Sequence, residues 1–79
     1  MELEFSKDDK KIRLTVRTDN RGALNYFILH LEKRFKILGM KEEARNTFVF
    51  AMELKRGIIL KKDQIASVIG MDLRKSGLQ

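Results

Sequence analysis

The chain of 79 residues has no cysteine, no proline, no tryptophan and only one histidine, His30. Without cysteine there is neither a disulfide nor a thiolate metal site, and one histidine cannot build a histidine zinc cluster. No metal and no other cofactor is therefore expected. The longest apolar run, Phe48 to Met52, falls far short of the roughly 20 residues that span a bilayer. Met1 to Phe5 carries Glu2 and Glu4 and opens no apolar stretch, so no secretory signal is expected either. A cysteine-free chain of this kind fits the reducing cytoplasm. So short a chain buries a thin core, and with disulfide and metal excluded the remaining supplement is a second copy. The expectation is one small cytoplasmic domain over residues 1–79, a homodimer without a membrane partner.

Catalytic constellations are equally scarce. Asp8/Asp9 and Glu42/Glu43 are adjacent acids, better suited to a turn and to a helix start than to general acid–base work. His30 has no evident acidic partner, and the five glycines are isolated, so no glycine-rich phosphate loop exists. An enzyme is not expected.

Charge is what the chain does have. Its formal net charge is +6, which favours a polyanionic partner through counterion release. Residues 1–19 balance to zero, whereas the excess gathers around Lys33, Arg34 and Lys36 and again around Lys55, Arg56 and Lys61. Nucleic acid is the expected partner on this ground, duplex DNA first.

Periodicity divides the chain. Residues 11–17, Lys-Ile-Arg-Leu-Thr-Val-Arg, alternate strictly, placing Ile12, Leu14 and Val16 on one face and Lys11, Arg13, Thr15 and Arg17 on the other. Glu2 to Phe5 alternates as well and predicts a shorter strand, with Ser6 to Lys10 as the turn. If the two strands pair, Glu2 and Glu4 fall on the face of the arginines and partly neutralise them. Asp19 is a plausible helix N-cap. Leu24, Phe27, Ile28, Leu31, Phe35 and Leu38 then follow helical spacing, which predicts a helix over 21–38 stopped by Gly39. A second helix is expected over 41–60, apolar on all sides at Phe48–Met52, and a short one from Asp63 stopped by Gly70. Beyond it, Leu73 to Gln79 is expected to fray. The fold class read from this pattern is α+β: an N-terminal strand or hairpin, two long helices and a short C-terminal helix, dimeric.

Strand, helix, glycine turn and helix in that order, led by Lys10-Lys11-Ile12-Arg13-Leu14-Thr15-Val16-Arg17, resembles the ribbon–helix–helix repressors of the CopG/Arc/MetJ type. That resemblance implies a strand paired with its twin across a dimer and laid in the DNA major groove, with Arg13, Thr15 and Arg17 reading bases. Arg21-Gly22-Ala23-Leu24-Asn25-Tyr26 and Met52-Glu53-Leu54-Lys55-Arg56 resemble segments of the Alba chromatin and RNA-binding family, which implies nucleic-acid contacts. Leu38-Gly39-Met40 through Gly57 is similar to the helical part of anti-sigma-factor kinases. Residues 63–78 also read loosely as a helix-turn-helix.

The functional expectation is a dimeric DNA-binding transcriptional regulator and repressor. Its candidate nucleic-acid-binding residues are Lys11, Arg13, Thr15, Arg17, Arg21, Lys55 and Arg56. The alternatives are a protein-interaction module, an inhibitor or adaptor docking an acidic partner through the apolar far side of the first helix, and an Alba-like RNA- or DNA-binding protein.

Overall fold

A computed structural model describes residues 1–78. Six elements follow in order: β1 (Glu2–Phe5), β2 (Lys11–Arg17), α1 (Arg21–Leu31), β3 (Phe35–Ala44), β4 (Thr47–Leu54) and α2 (Lys62–Lys75). The four strands form one antiparallel sheet in the order β1-β2-β4-β3. The segment joining β2 to β3 carries α1 and skips the place that β4 later fills.

The N-terminal hairpin forms as its alternation requires. Leu3 pairs with Leu14 and Phe5 with Ile12 on one face, while Glu2 and Glu4 stand opposite Thr15 and Arg13 on the other. The turn between the strands uses Asp9 at φ 59, a conformation Asp tolerates better than most residues. Both edges of β2 are occupied within the chain, by β1 and by β4. The intermolecular two-stranded ribbon expected of this strand therefore has no free edge on which to form.

The two-long-helix architecture is corrected. Helix α1 starts as a helix should, but its cap is Asn20 and not Asp19: the Asn20 side chain accepts from the Ala23 amide at 2.9 Å. It ends at Leu31, seven residues early. Lys33 and Arg34 donate to the carbonyls of His30 and Leu31, tightening the last turn, and the chain then leaves as a strand. Phe35 and Leu38 had matched the helical spacing only because they lie four and seven residues after Leu31; along the strand Phe35 and Ile37 point into the core on alternate residues. Gly39 stops nothing and sits within β3.

The helix expected over 41–60 is instead the end of β3, a turn, β4 and the loop that follows it. Arg45 and Asn46 make the turn, Asn46 at φ 59, and β4 returns as Thr-Phe-Val-Phe-Ala-Met-Glu-Leu. Five consecutive apolar residues suit β4 because it is an inner strand. Phe48, Phe50 and Met52 face the helices, and Val49 and Ala51 face the other way. β-Branched and aromatic residues on a strand flanked on both edges outweigh the helix-forming Glu42, Glu43 and Ala44. Neither the helical likeness of residues 38–57 nor a turn at Gly70 is present, for α2 runs unbroken through Gly70. Leu73, expected to fray, is buried in α2, and Leu78 donates to its carbonyl at 2.9 Å. Gln79 lies outside the described residues.

Both helices lie on one face of the sheet. Leu24, Phe27 and Leu31 of α1 and Ile65, Ile69 and Leu73 of α2, each at helical spacing, close over Ile12, Leu14, Val16, Phe35, Phe48, Phe50 and Met52. Phe27 meets Phe50 edge to face at 6.2 Å between ring centres. The opposite face of the sheet carries no helix.

Candidate nucleic-acid interface

The topology collects the loops at two ends of the sheet. Strand pairing sets Phe5, Lys11, Leu54 and Phe35 at one end. Three connections therefore converge there: the β1–β2 turn, the α1–β3 turn and the loop leading from β4 to α2. The Lys55 amide donates to the Arg34 carbonyl at 2.9 Å, which joins two basic clusters that lie some twenty residues apart in the chain. Helix α2 extends along the same end. Its Lys62 pairs with Asp9 at 3.0 Å and its Asp72 lies 3.8 Å from Arg34. The ten residues between span about 15 Å, close to the roughly 14 Å width of four strands.

The result is a basic end. Lys7, Lys10, Lys33, Lys36, Lys55, Arg56 and Lys61 lie there, and none makes an ion pair among the described residues. Of the acids nearby, Glu32 and Asp63 make no ion pair among the described residues, while Asp8, Asp9 and Asp72 are engaged. Asp9 is held by Lys62. The Ser6 hydroxyl donates to Asp8 at 2.6 Å and the Lys10 amide donates at 3.1 Å, which holds the Asp8 carboxyl below its ordinary value. Asp72 is 2% exposed, with one carboxylate oxygen lacking a hydrogen-bond partner and the other facing Arg34.

The open face of the sheet is different in kind. Lys11, Arg13, Thr15 and Arg17 do share it, as their alternation implies, but acids share it too. Arg17 pairs with Glu2 at 3.1 Å and Lys11 with Glu53 at 3.4 Å. Arg13 reaches both ways, to Glu4 at 3.6 Å on β1 and to Glu43 at 3.1 Å on β3. Thr15 on the same face is buried. Beside Arg13 lies a shallow depression of about 690 Å³ whose floor is Ala51, Val49 and Gly39, with Glu4, Lys11 and Lys41 around it.

Arg21 belongs to neither place. It sits at the far end of the sheet on the helix side, paired with Glu42 at 3.2 Å and 5.0 Å above the Phe48 ring. Glu42 also accepts from the Asn46 amide at 2.8 Å, and these bonds hold its carboxyl below the ordinary value.

The structure thus separates the seven candidates. Lys11, Arg13, Thr15 and Arg17 line the open face, Lys55 and Arg56 stand at the basic end, and Arg21 lies opposite. Lys7 and Lys10 were missed. They sit in a stretch whose charges cancel in sequence, and only the turn geometry turns them outward. No cluster of three or more His, Asp or Glu side chains able to hold a metal ion occurs among the described residues. No helix among them is long and apolar enough to cross a membrane. Compared with known proteins, the chain matches no family model, no curated protein and no solved structure.

Proposed function

We propose that this protein binds duplex DNA, gripping the phosphate backbone with its basic end, and acts as a regulator of transcription. One observation carries the proposal: unpaired cations from three separate loops converge at one end of the sheet. Clustered, solvated Lys and Arg side chains are what counterion release rewards, and duplex DNA, with a charge about every 1.7 Å, rewards it most. Lys55 and Arg56 lie in this cluster, next to Lys33 and Arg34.

The adjoining open face supplies the second element. A surface that only held phosphates would be basic throughout. Here Lys11, Arg13 and Arg17 alternate with Glu2, Glu4, Glu43 and Glu53, a lattice of fixed donors and acceptors. Base edges demand that mixture, since arginine suits guanine and a carboxylate suits the cytosine amino group. The basic end gives affinity, and the face gives discrimination.

The test is fluorescence anisotropy of labelled random duplexes with the full chain at low salt and then at rising salt. Binding that weakens linearly in log–log coordinates, with a slope set by several phosphates, is the expected result. Absence of binding at low salt overturns the proposal.

A further inference from the structure

The loop between β4 and α2 is pinned at both ends. The Lys55 amide donates to the Arg34 carbonyl at 2.9 Å, and the Lys55 carbonyl accepts from the Ile58 amide at 3.1 Å. Gly57, third of the four residues from Lys55 to Ile58, takes φ 88, the arrangement of a type II turn. Leu60 packs against the core. Lys61 opens α2, its amide donating to the Gln64 side chain at 2.8 Å and its carbonyl accepting from the Ile65 amide at 2.8 Å.

Between these anchors stands Ile59, 92% exposed, where the next most exposed large apolar side chain, Leu29, reaches 62%. A single exposed apolar residue is ordinary by itself. The setting of this one is not. Lys55 and Arg56 precede it and Lys61 follows, none with an ion pair among the described residues. Ile58 and Leu60 on either side are half-buried, so the apolar tip is one side chain wide. The chain thus holds one isoleucine out to solvent within its cluster of unpaired cations.

We infer that Ile59 is a wedge that enters the minor groove and inserts between two base pairs, kinking the duplex, while Lys55, Arg56 and Lys61 hold phosphates on either side. The inference rests on the duplex-binding reading and adds to it a deformation of the DNA. Apolar side chains inserted in this way unstack a base step and bend the duplex by about 20–90°. A base step is an apolar surface flanked on both strands by phosphates, the complement of an apolar tip flanked by cations. The minor groove, about 6 Å wide, takes a loop tip, and the major groove stays free for the open face. An anionic membrane also joins phosphates to an apolar layer. Attachment there scales with apolar area, however, and here only one side chain protrudes.

The test is energy transfer between dyes on the two ends of a short duplex, read with the full chain beside the anisotropy of the same sample. The wild type should bring the ends closer. It should also bind a duplex with a central TA step at least about fivefold more tightly than an A-tract of equal length, because TA steps unstack readily and A-tracts are stiff. Ile59→Ala should abolish the change in transfer and cut that preference below about twofold, while the salt slope of binding stays within about 0.3 of the wild type. Ile59→Leu, which keeps an apolar wedge, should still bend the duplex. Both variants should unfold at the wild-type urea concentration, since the side chain is solvent-exposed. A duplex that is bound but stays straight overturns the wedge and leaves the basic end intact. So does an Ile59→Ala chain that bends the duplex as fully as the wild type. Ile59-dependent attachment to phosphatidylserine vesicles without bending of DNA assigns the tip to a membrane and also overturns the inference. Absence of duplex binding in the anisotropy removes the DNA reading itself, and the wedge with it.

Discussion

The two ends of the sheet use the same residue types in opposite ways. At the far end, Arg17 pairs with Glu2 and Arg21 with Glu42, and Arg13 reaches to Glu43, all in solvent-exposed ion pairs. At the basic end, Lys7, Lys10, Lys33, Lys36, Lys55, Arg56 and Lys61 are left to solvent while Asp8 and Asp9 are tied into the turn. The contrast teaches that net charge says little about a binding surface until the internal pairs are subtracted. The overall +6 is an average over a balanced end and an unbalanced one.

The largest effect is expected where the basic end meets the core. Among the described residues, Arg34 is the cation paired with the buried Asp72, at 3.8 Å. Arg34→Ala leaves that carboxylate buried and unpaired, and urea denaturation should show a loss of about 3 kcal/mol. A much smaller loss would mean that the basic end is held to the core by packing alone.

Next come the open-face arginines. Arg13→Ala or Arg17→Ala should change stability by less than about 1 kcal/mol, because their ion pairs are solvent-exposed. Discrimination between a selected duplex and random duplexes should nonetheless fall by roughly 1–3 kcal/mol. Equal losses on both duplexes would show that this face only touches phosphates.

At the far end, Asn20→Ala removes the cap of α1 and should cost about 1 kcal/mol in thermal or chemical unfolding, with DNA affinity unmoved. The two ends also share an acid response. Asp8 and Glu42 both ionise more readily in the folded chain than their ordinary values of 3.8 and 4.5. A carboxyl depressed on folding contributes stability above its unfolded value and loses it as pH falls through the folded one. Their contribution to stability should therefore be lost as pH drops below the ordinary carboxylate range. By NMR titration, Ser6→Ala should raise the Asp8 midpoint and leave that of Glu42 in place; a shift in both would contradict the separation of the two ends.

Much of the fold's first third is legible in the residues. Strict alternation over 11–17 and 2–5 identifies the hairpin, and the spacing Leu24, Phe27, Ile28, Leu31 identifies α1. The middle is not legible by the same means, for two physical reasons. Helix α1 ends without a glycine or proline, so Phe35 and Leu38 continue its period by coincidence. Strand β4 lies between two neighbours and loses its alternation, since Val49 and Ala51 are apolar on the open face. Asn46, which tolerates the left-handed turn, was the available hairpin signal.

The site divides likewise. The strand face with its neutralising Glu2 and Glu4 follows from pairing two alternating segments. That Glu43 would come from β3, or that the clusters at 33–36 and 55–61 would merge, depends on a strand order that local sequence does not encode.

The most direct measurement is the salt dependence of duplex binding after neutralising each end in turn. The variant with Lys33→Ala, Lys55→Ala and Arg56→Ala removes three expected phosphate contacts. Each contributes about 0.9 to the slope of log affinity against log salt, so the slope should flatten by close to 3. Arg45→Ala at the far end should leave it within about 0.3 of the wild type. Equal flattening by both variants, or none by the triple variant, would contradict the assignment of the basic end as the DNA anchor.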